Sequence, residues 1–440
     1  MRRAGILLDV RSLPHSGTPG SLRAAACAWI DLLAESGIGL WQILPLNPVD
    51  AVGSPYASPS SSAIDPRLHH ALASDMRASG IETMRALEEQ PWLDLHATFY
   101  ALRDMHGTPW ATWPNAIRSS TPRSEDIDAD RRRHHARVQV ELEGAWREIH
   151  AHARSRGVTL IGDIPLYVAW DSAEVWADPD LFHLTPDGHP EKRAGVPPDA
   201  FSTTGQLWGN PIYRWEVHER SGFAWWKARI ERLRDLVDVI RIDHFIGMVR
   251  AWSVPKEAED ARIGTWLEPP GEALMAHLIE LGIDFIAEDL GLVTDHVIDL
   301  RQQHGLMGMA VHQFGFDHAP NAPHSPAMTP EDVVAYSGTH DNDTTNGWWA
   351  STSDDVRKGA TEAGVDPADP ARSLVRLGLQ SDARWYIAPL QDLLGLGSEA
   401  RMNTPSTTGP QNWSWRASPH HVDRDAIAWY GAAVADSGRV

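Results

Sequence analysis

Four apolar runs in this chain end on a carboxylate: Asp163 in IGDIPLYV, Asp243 in RIDH, Glu288 in IAEDLG and Asp341 in GTHDND. The most heavily charged tip lies in VDVIRIDHFIGMVRAW, residues 237–252, where Arg241, Asp243 and His244 follow Val237, Val239 and Ile240. Charge at the end of a buried strand is costly unless it is paired or used. Taken singly, each acid could equally cap a helix or hold an ion pair. Four of them at equivalent strand ends point to convergent carboxylates, and so to a metal site or to glycoside chemistry. A metal would draw neutral imidazoles, and His244 and His340 are at hand. Against a cation stands Arg241, on the same strand face as Asp243. A fixed guanidinium favours an ionised carboxylate, which suits a nucleophile. A retaining glycosidase needs one carboxylate as nucleophile and a second as acid, then base.

The acids meet only if the elements beneath them form one ring. Eight apolar runs occur in order: 5–10, 39–46, 158–168, 236–243, 283–290, 308–314, 332–341 and 383–390. Helix-like stretches separate most of them, among them 22–36, 224–237 and 271–282. Alternating strand and helix predicts a parallel sheet, and eight such units predict an α/β fold of the (β/α)8 TIM-barrel type, with an open sheet as the alternative. In such a barrel the C-terminal strand ends ring the active site. The spacing is uneven, which predicts insertions: a mainly helical one over 47–157 and a second over 169–235 carrying a loop above the site. No linker or fixed-period repeat divides the chain, so 1–440 is expected to be a single catalytic barrel domain.

Composition narrows the partners. A formal net charge of -20 argues against nucleic acid or an anionic membrane and for a neutral ligand. Cys27 is the only cysteine, so no internal disulfide forms and a reducing compartment is expected. The opening MRRAGILLDVRSLP reads as a first strand rather than a leader, and no apolar run is long enough to span a membrane. The expected location is the cytoplasm. With 20 Trp against 8 Phe and 7 Tyr, most indoles serve packing, but their flat faces also suit stacking on sugars. No metal or organic cofactor is expected; DND at 341–343 is too short for a calcium loop.

Several longer segments resemble the amylomaltase (4-α-glucanotransferase) family, relatives of the α-amylases. They are GSPYASPSSSAIDP (53–66), GDIPLYVAWDSAEVWADPDLF (162–182), AGVPPDAFSTTGQLWGNPIYRW (194–215), RIDHFIG (241–247), IAEDLGLVT (286–294), SGTHDNDTTNGWW (337–349) and QDLLGLGSEARMN (391–403). The resemblance runs through nearly the whole chain. It implies transfer of α-1,4-glucan segments from a maltooligosaccharide to another sugar hydroxyl, with retention and through a glycosyl-enzyme. It implies Asp243 as nucleophile, Glu288 as general acid/base and Asp341 as the third carboxylate, gripping sugar hydroxyls. Arg241 would orient Asp243, while His340, Asp163 and Tyr56 would line the same subsite, Tyr56 by stacking. Trp208 would lie in a loop over the cleft. His244 is expected to point to the opposite strand face and be structural.

The chain departs from that pattern at four positions. Ile246 stands where the family commonly has Arg, Ala200 where it has Tyr, Ser406 where it often has Gly, and Trp170 where it often has an acid. These bear on acceptor binding and on the balance of transfer and hydrolysis. An α-1,4-glucan hydrolase using the same chemistry, or a non-catalytic glucan-binding protein, are the alternatives. Products formed from maltotriose separate all three.

Overall fold

Runs of Val, Ile, Leu and Ala that are buried on both faces have no polar side to turn to water, so they can form only the inside of a parallel sheet. The computed structural model, which describes residues 1–118, 123–198, 202–316 and 323–439, places eight of them there. They are β1 (Arg3–Leu7), β2 (Leu40–Gln42), β3 (Thr159–Ile164), β4 (Val239–Ile242), β5 (Asp284–Ala287), β6 (Gly308–Val311), β7 (Val333–Tyr336) and β8 (Trp385–Pro389). All pair in parallel, in the order β6-β7-β8-β1-β2-β3-β4-β5. A parallel bridge between Ile286 and Met307 joins β5 to the approach to β6, with the Ala287 N–H donating to the Met307 carbonyl at 2.8 Å. The sheet thereby closes into a (β/α)8 barrel.

The period-two alternation of strands sorts the core into two layers. Leu7, Leu40, Ile161, Val239, Ile286, Met309, Val334 and Ile387 fill the barrel interior. Their neighbours Ile6, Trp41, Leu160, Ile240, Phe285, Ala310, Ala335 and Tyr386 face outward against the helices. The helix Ser21–Glu35 shows why they fit: Leu22, Ala26, Trp29, Ile30 and Leu33 form one apolar stripe. At the N-terminal end of the barrel the last helix, Arg424–Asp436, ties down β1, with the Tyr430 hydroxyl donating to the Gly5 carbonyl at 2.9 Å.

Two excursions modify the barrel. Between β2 and β3, the helices His69–Ala73, Gly80–Glu89 and Pro91–His106 pack on the long helix Ala129–Ser155. Ala136, near the start of that helix, packs with Ala86, Leu87, Leu93 and Ala97. Leu142, Ala145, Trp146, Ile149 and Ala153, further along, join the layer around the barrel. One helix thus serves both the excursion and the β2–β3 crossover. After β3 and β4, the chain builds a four-stranded antiparallel sheet in the order 206–211, 192–196, 251–255, 265–267. The alternation of apolar runs does not predict this sheet. Ala200, in the connection between its first two strands, lies outside the described residues. Among the described residues no helix is long and apolar enough to cross a membrane.

Candidate active site

The ladder hydrogen bonds continue past the ends of β4 and β5, which fixes the charged tips relative to each other. The Asp243 N–H donates to the Ile164 carbonyl and the Glu288 N–H to the Ile242 carbonyl, each at 3.0 Å. Arg241, an in-pointing residue of β4, meets Asp163 of the neighbouring strand, its register partner. Its Nη1 donates to both Asp163 oxygens at 2.8 and 2.7 Å and to Asp243 Oδ1 at 3.1 Å. The Tyr56 hydroxyl, from the segment after β2, donates to Asp163 Oδ2 at 2.6 Å. The Asp163 side chain has no solvent exposure, whereas that of Asp243 is 27% exposed. Asp163 is therefore the buried counter-ion beneath, and Asp243 is the carboxylate that opens into the cleft.

His244 departs from expectation. Strand alternation would turn its ring away from the site, but β4 has ended and His244 adopts a left-handed turn, φ 52° and ψ 45°. Its N–H donates to Glu288 Oε2 at 2.7 Å, and its ring meets that of Trp208 edge to face, centroids 4.7 Å apart. His244 is thus part of the cleft wall and holds Glu288 through its backbone.

The opposite wall comes from the loops after β2, β7 and β8. Asn403 Nδ2 donates to Asp341 Oδ1 at 2.7 Å, and an Arg401 guanidinium nitrogen donates to the Asp341 carbonyl at 2.7 Å. His340 Nε2 lies 3.5 Å from Asp341 Oδ1. The His340 ring stacks on Tyr56, centroids 5.1 Å apart and 11° from parallel, and Trp413 leans on both rings. Trp208 reaches the cleft from the strand Gln206–Pro211 of the antiparallel sheet. Tyr56, Trp208, Arg241, Asp243, Glu288, His340 and Asp341 all line one cleft of about 450 Å³, with Asp163 below it. His244, Asn403 and Trp413 line it too, and the sequence alone does not place them there. Asn403 closes a segment that carries the family likeness, GSEARMN; Trp413 has no signal beyond the excess of tryptophan.

Burial raises the Asp243 carboxyl pKa above its usual range, even though Arg241 pulls it down. That pull is shared, because the same guanidinium nitrogen holds both oxygens of Asp163. Glu288 is pushed well above the usual carboxyl range, first by burial and then by the charge of Asp243, against Arg241 and the His244 N–H. Burial holds the His340 and His244 imidazoles below their ordinary value, His244 at about 4, so both are neutral at pH 7. Burial and Asp163 keep the Tyr56 phenol protonated as a donor. Among the described residues no group of three His, Cys, Asp or Glu is arranged to hold a metal ion.

A family model described as 4-alpha-glucanotransferase matches residues 8–88 and 68–421. The chain belongs to that family. The 4-alpha-glucanotransferase of Thermus thermophilus is 36% identical over 95% of this chain and 95% of its own, and that of Synechocystis sp. 37% identical over 96% and 95%. The solved amylomaltase from Streptococcus agalactiae in complex with acarbose superposes with a TM-score of 0.91 at 29% identity, covering both chains fully. The amylomaltase of Corynebacterium glutamicum, at 16% identity over 100% of this chain and 75% of its own, shares the fold with a TM-score of 0.76. The departures from the family pattern fall in different places. Ile246 is buried and lines the cleft. Ser406 lines it with φ 62°, a left-handed conformation that favours glycine. Trp170 does not line the cleft; its Nε1 donates to the Gly188 carbonyl at 2.7 Å and its ring packs on His189.

Proposed function

We propose that this family member transfers α-1,4-glucan segments by double displacement, with Asp243 as nucleophile and Glu288 as acid and base. The observation that carries the assignment is the unequal setting of the two carboxyls. Asp243 is held by Arg241 with one side open to the cleft, which suits an ionised nucleophile. Glu288, half-buried like Asp243, accepts from the His244 N–H rather than from a guanidinium, and desolvation and the charge of Asp243 drive it toward its protonated form, which suits the acid. In the first step an Asp243 oxygen bonds to the anomeric carbon as the glycosidic bond breaks, and Glu288 gives its proton to the leaving oxygen. In the second, an acceptor hydroxyl bonds to that carbon, its proton passes to Glu288, and the Asp243 carboxylate leaves.

The remaining side chains position the donor sugar. Asp341, 44% exposed and oriented by Asn403, offers a free carboxylate oxygen to sugar hydroxyls. The neutral His340 imidazole and the Tyr56 ring form the adjoining wall, and Asp163 holds both Arg241 and Tyr56. Trp208 closes the side next to His244. The substrate is a neutral maltooligosaccharide or longer α-1,4-glucan, in keeping with the acidic chain. Chromatography of products from maltotriose tests this. Transfer gives glucose together with oligosaccharides longer than the substrate; only shorter products would mean hydrolysis, and no products a binding protein.

A further inference from the structure

Trp266 lines the same cleft but takes no part in the arrangement above. It lies on the outer strand Thr265–Leu267 of the antiparallel sheet, at the opposite edge from the strand that carries Trp208. Both indoles are 37% exposed, unusual for so large an apolar group. Three strand spacings separate the two edges, roughly 14 Å. The Arg250 guanidinium carbon sits 3.8 Å from the Trp266 ring centroid, and Trp252, its cross-strand partner, meets it edge-on at 5.0 Å. One ring face is therefore occupied by a cation and one edge by an indole. The exposed remainder borders the cleft and is held rigid before any ligand arrives.

The position of Trp266 in the ring of strands sets what it could hold. The donor-side wall, with Tyr56, His340, Asp341 and Trp413, comes from the loops after β2, β7 and β8. Trp266 and Ile246 come from the loop after β4, and Leu290 and Leu292 from the loop after β5, directly beyond Glu288. These lie across the barrel from the β8–β1 side. Glu288 protonates the departing oxygen and later takes the acceptor's proton, so leaving and incoming chains lie on its side of the cleft.

We propose that Trp266, backed by Arg250, is a stacking platform for acceptor glucosyl units remote from the reacting hydroxyl, so that it sets a preference for longer acceptors. The inference rests on the glucan-transfer reading. A flat indole against the apolar face of a sugar ring gains by desolvation without choosing among hydroxyls. A single glucose bound at the reacting position does not reach it; a chain of several units does.

The test is the ratio of acceptor kcat/KM for maltotetraose over glucose, with one donor throughout. The ratio exceeds one in the parent and falls at least about fivefold in Trp266→Ala. Trp266→Phe restores most of it. A ratio in Trp266→Ala within twofold of the parent, or a parent with no preference for the longer acceptor, overturns the proposal. Should Trp266→Ala not fold, Arg250→Met decides. It keeps the indole but removes its backing; the ratio falls about twofold or more, and an unchanged ratio overturns the proposal. Failure of the glucan-transfer reading shows separately, as a parent that makes no longer oligosaccharides from maltotriose.

Discussion

Arg241 serves two carboxylates with one nitrogen, and this division explains the setting of Asp243 better than its charge alone. On sequence grounds Arg241 should keep Asp243 ionised. The guanidinium does act in that direction, but desolvation beneath the cleft outweighs it. In the proposed mechanism Asp243 must be ionised to attack, and Arg241 stabilises the ionised form. Arg241→Met therefore raises the Asp243 pKa and moves the acidic limb of the pH–rate profile to higher pH. An unmoved acidic limb would detach Arg241 from nucleophile control. The variant also leaves Asp163 buried without its partner, at a cost of about 3–5 kcal/mol, so rates are compared well below its melting point. Glu288 gives a second test. A carboxyl whose pKa is raised on folding stabilises the fold fully only below its unfolded pKa of about 4.3, and that contribution is lost as pH rises. Glu288→Gln abolishes the effect. It should melt roughly 1–3 °C above the parent at neutral pH, a difference that shrinks towards pH 4 and below, where parent Glu288 is protonated in both states. A variant that melts lower at neutral pH would mean that Glu288 is not strained by its burial.

Strands and their tips are legible in the sequence because a two-sided apolar run ending in charge fits little else than a buried strand that meets a site. The turns beyond the tips are not legible. Alternation sends the His244 ring away from the cleft, but that rule stops where the strand stops; only the left-handed backbone at φ 52° reveals the reversal. The antiparallel sheet is hidden for a related reason. Its strands are short, and 192–196 pairs with 251–255 across all of β4, a pairing fixed by tertiary packing rather than by local pattern. Ser406 stands where the resemblance often puts glycine, and its φ of 62° is a left-handed conformation that suits glycine. The sheet also yields a prediction. A Cβ at Gly195 would lie 2.3 Å from the Gln206 carbonyl oxygen, a backbone atom that cannot rotate away. Gly195→Ala should splay the strand that carries Trp208, lowering kcat/KM at least about tenfold while the barrel's melting point moves by only a few degrees. Parent-like kcat/KM would show that the position of Trp208 does not depend on that strand pairing.

At the scale of the whole molecule the barrel separates stability from chemistry along its axis. The order of eight strands and the convergence of their acids can be read from the sequence because both repeat. The tie at the barrel's N-terminal end cannot, since it depends on single contacts of Arg2 and Arg439 with the turn before β8. Arg439 is one of these. It is buried, and its guanidinium donates to the carbonyls of Leu379, Ser381 and Ala383, at 2.8, 2.8 and 2.9 Å, just before β8 begins. Arg2 donates to the same Leu379 and Ser381 carbonyls beside it. Burial lowers the Arg439 pKa to about 10, so it stays charged at neutral pH and its desolvation is offset by those carbonyls. Arg439→Ala removes that cation, leaving the Ala383 carbonyl without its donor and the Leu379 and Ser381 carbonyls to Arg2 alone, at a cost of about 1–3 kcal/mol. The melting point should fall by several degrees. The cleft lies at the C-terminal ends of the strands, with the whole barrel interior between, so kcat/KM measured well below the new melting point should equal that of the parent. The decisive comparison sets Arg439→Ala beside Gly195→Ala. One should lose stability and keep its rate, and the other should lose rate and keep most of its stability. If Arg439→Ala lost rate in proportion to stability, the two ends of the barrel would be coupled, and the division of labour along its axis would not hold for this enzyme.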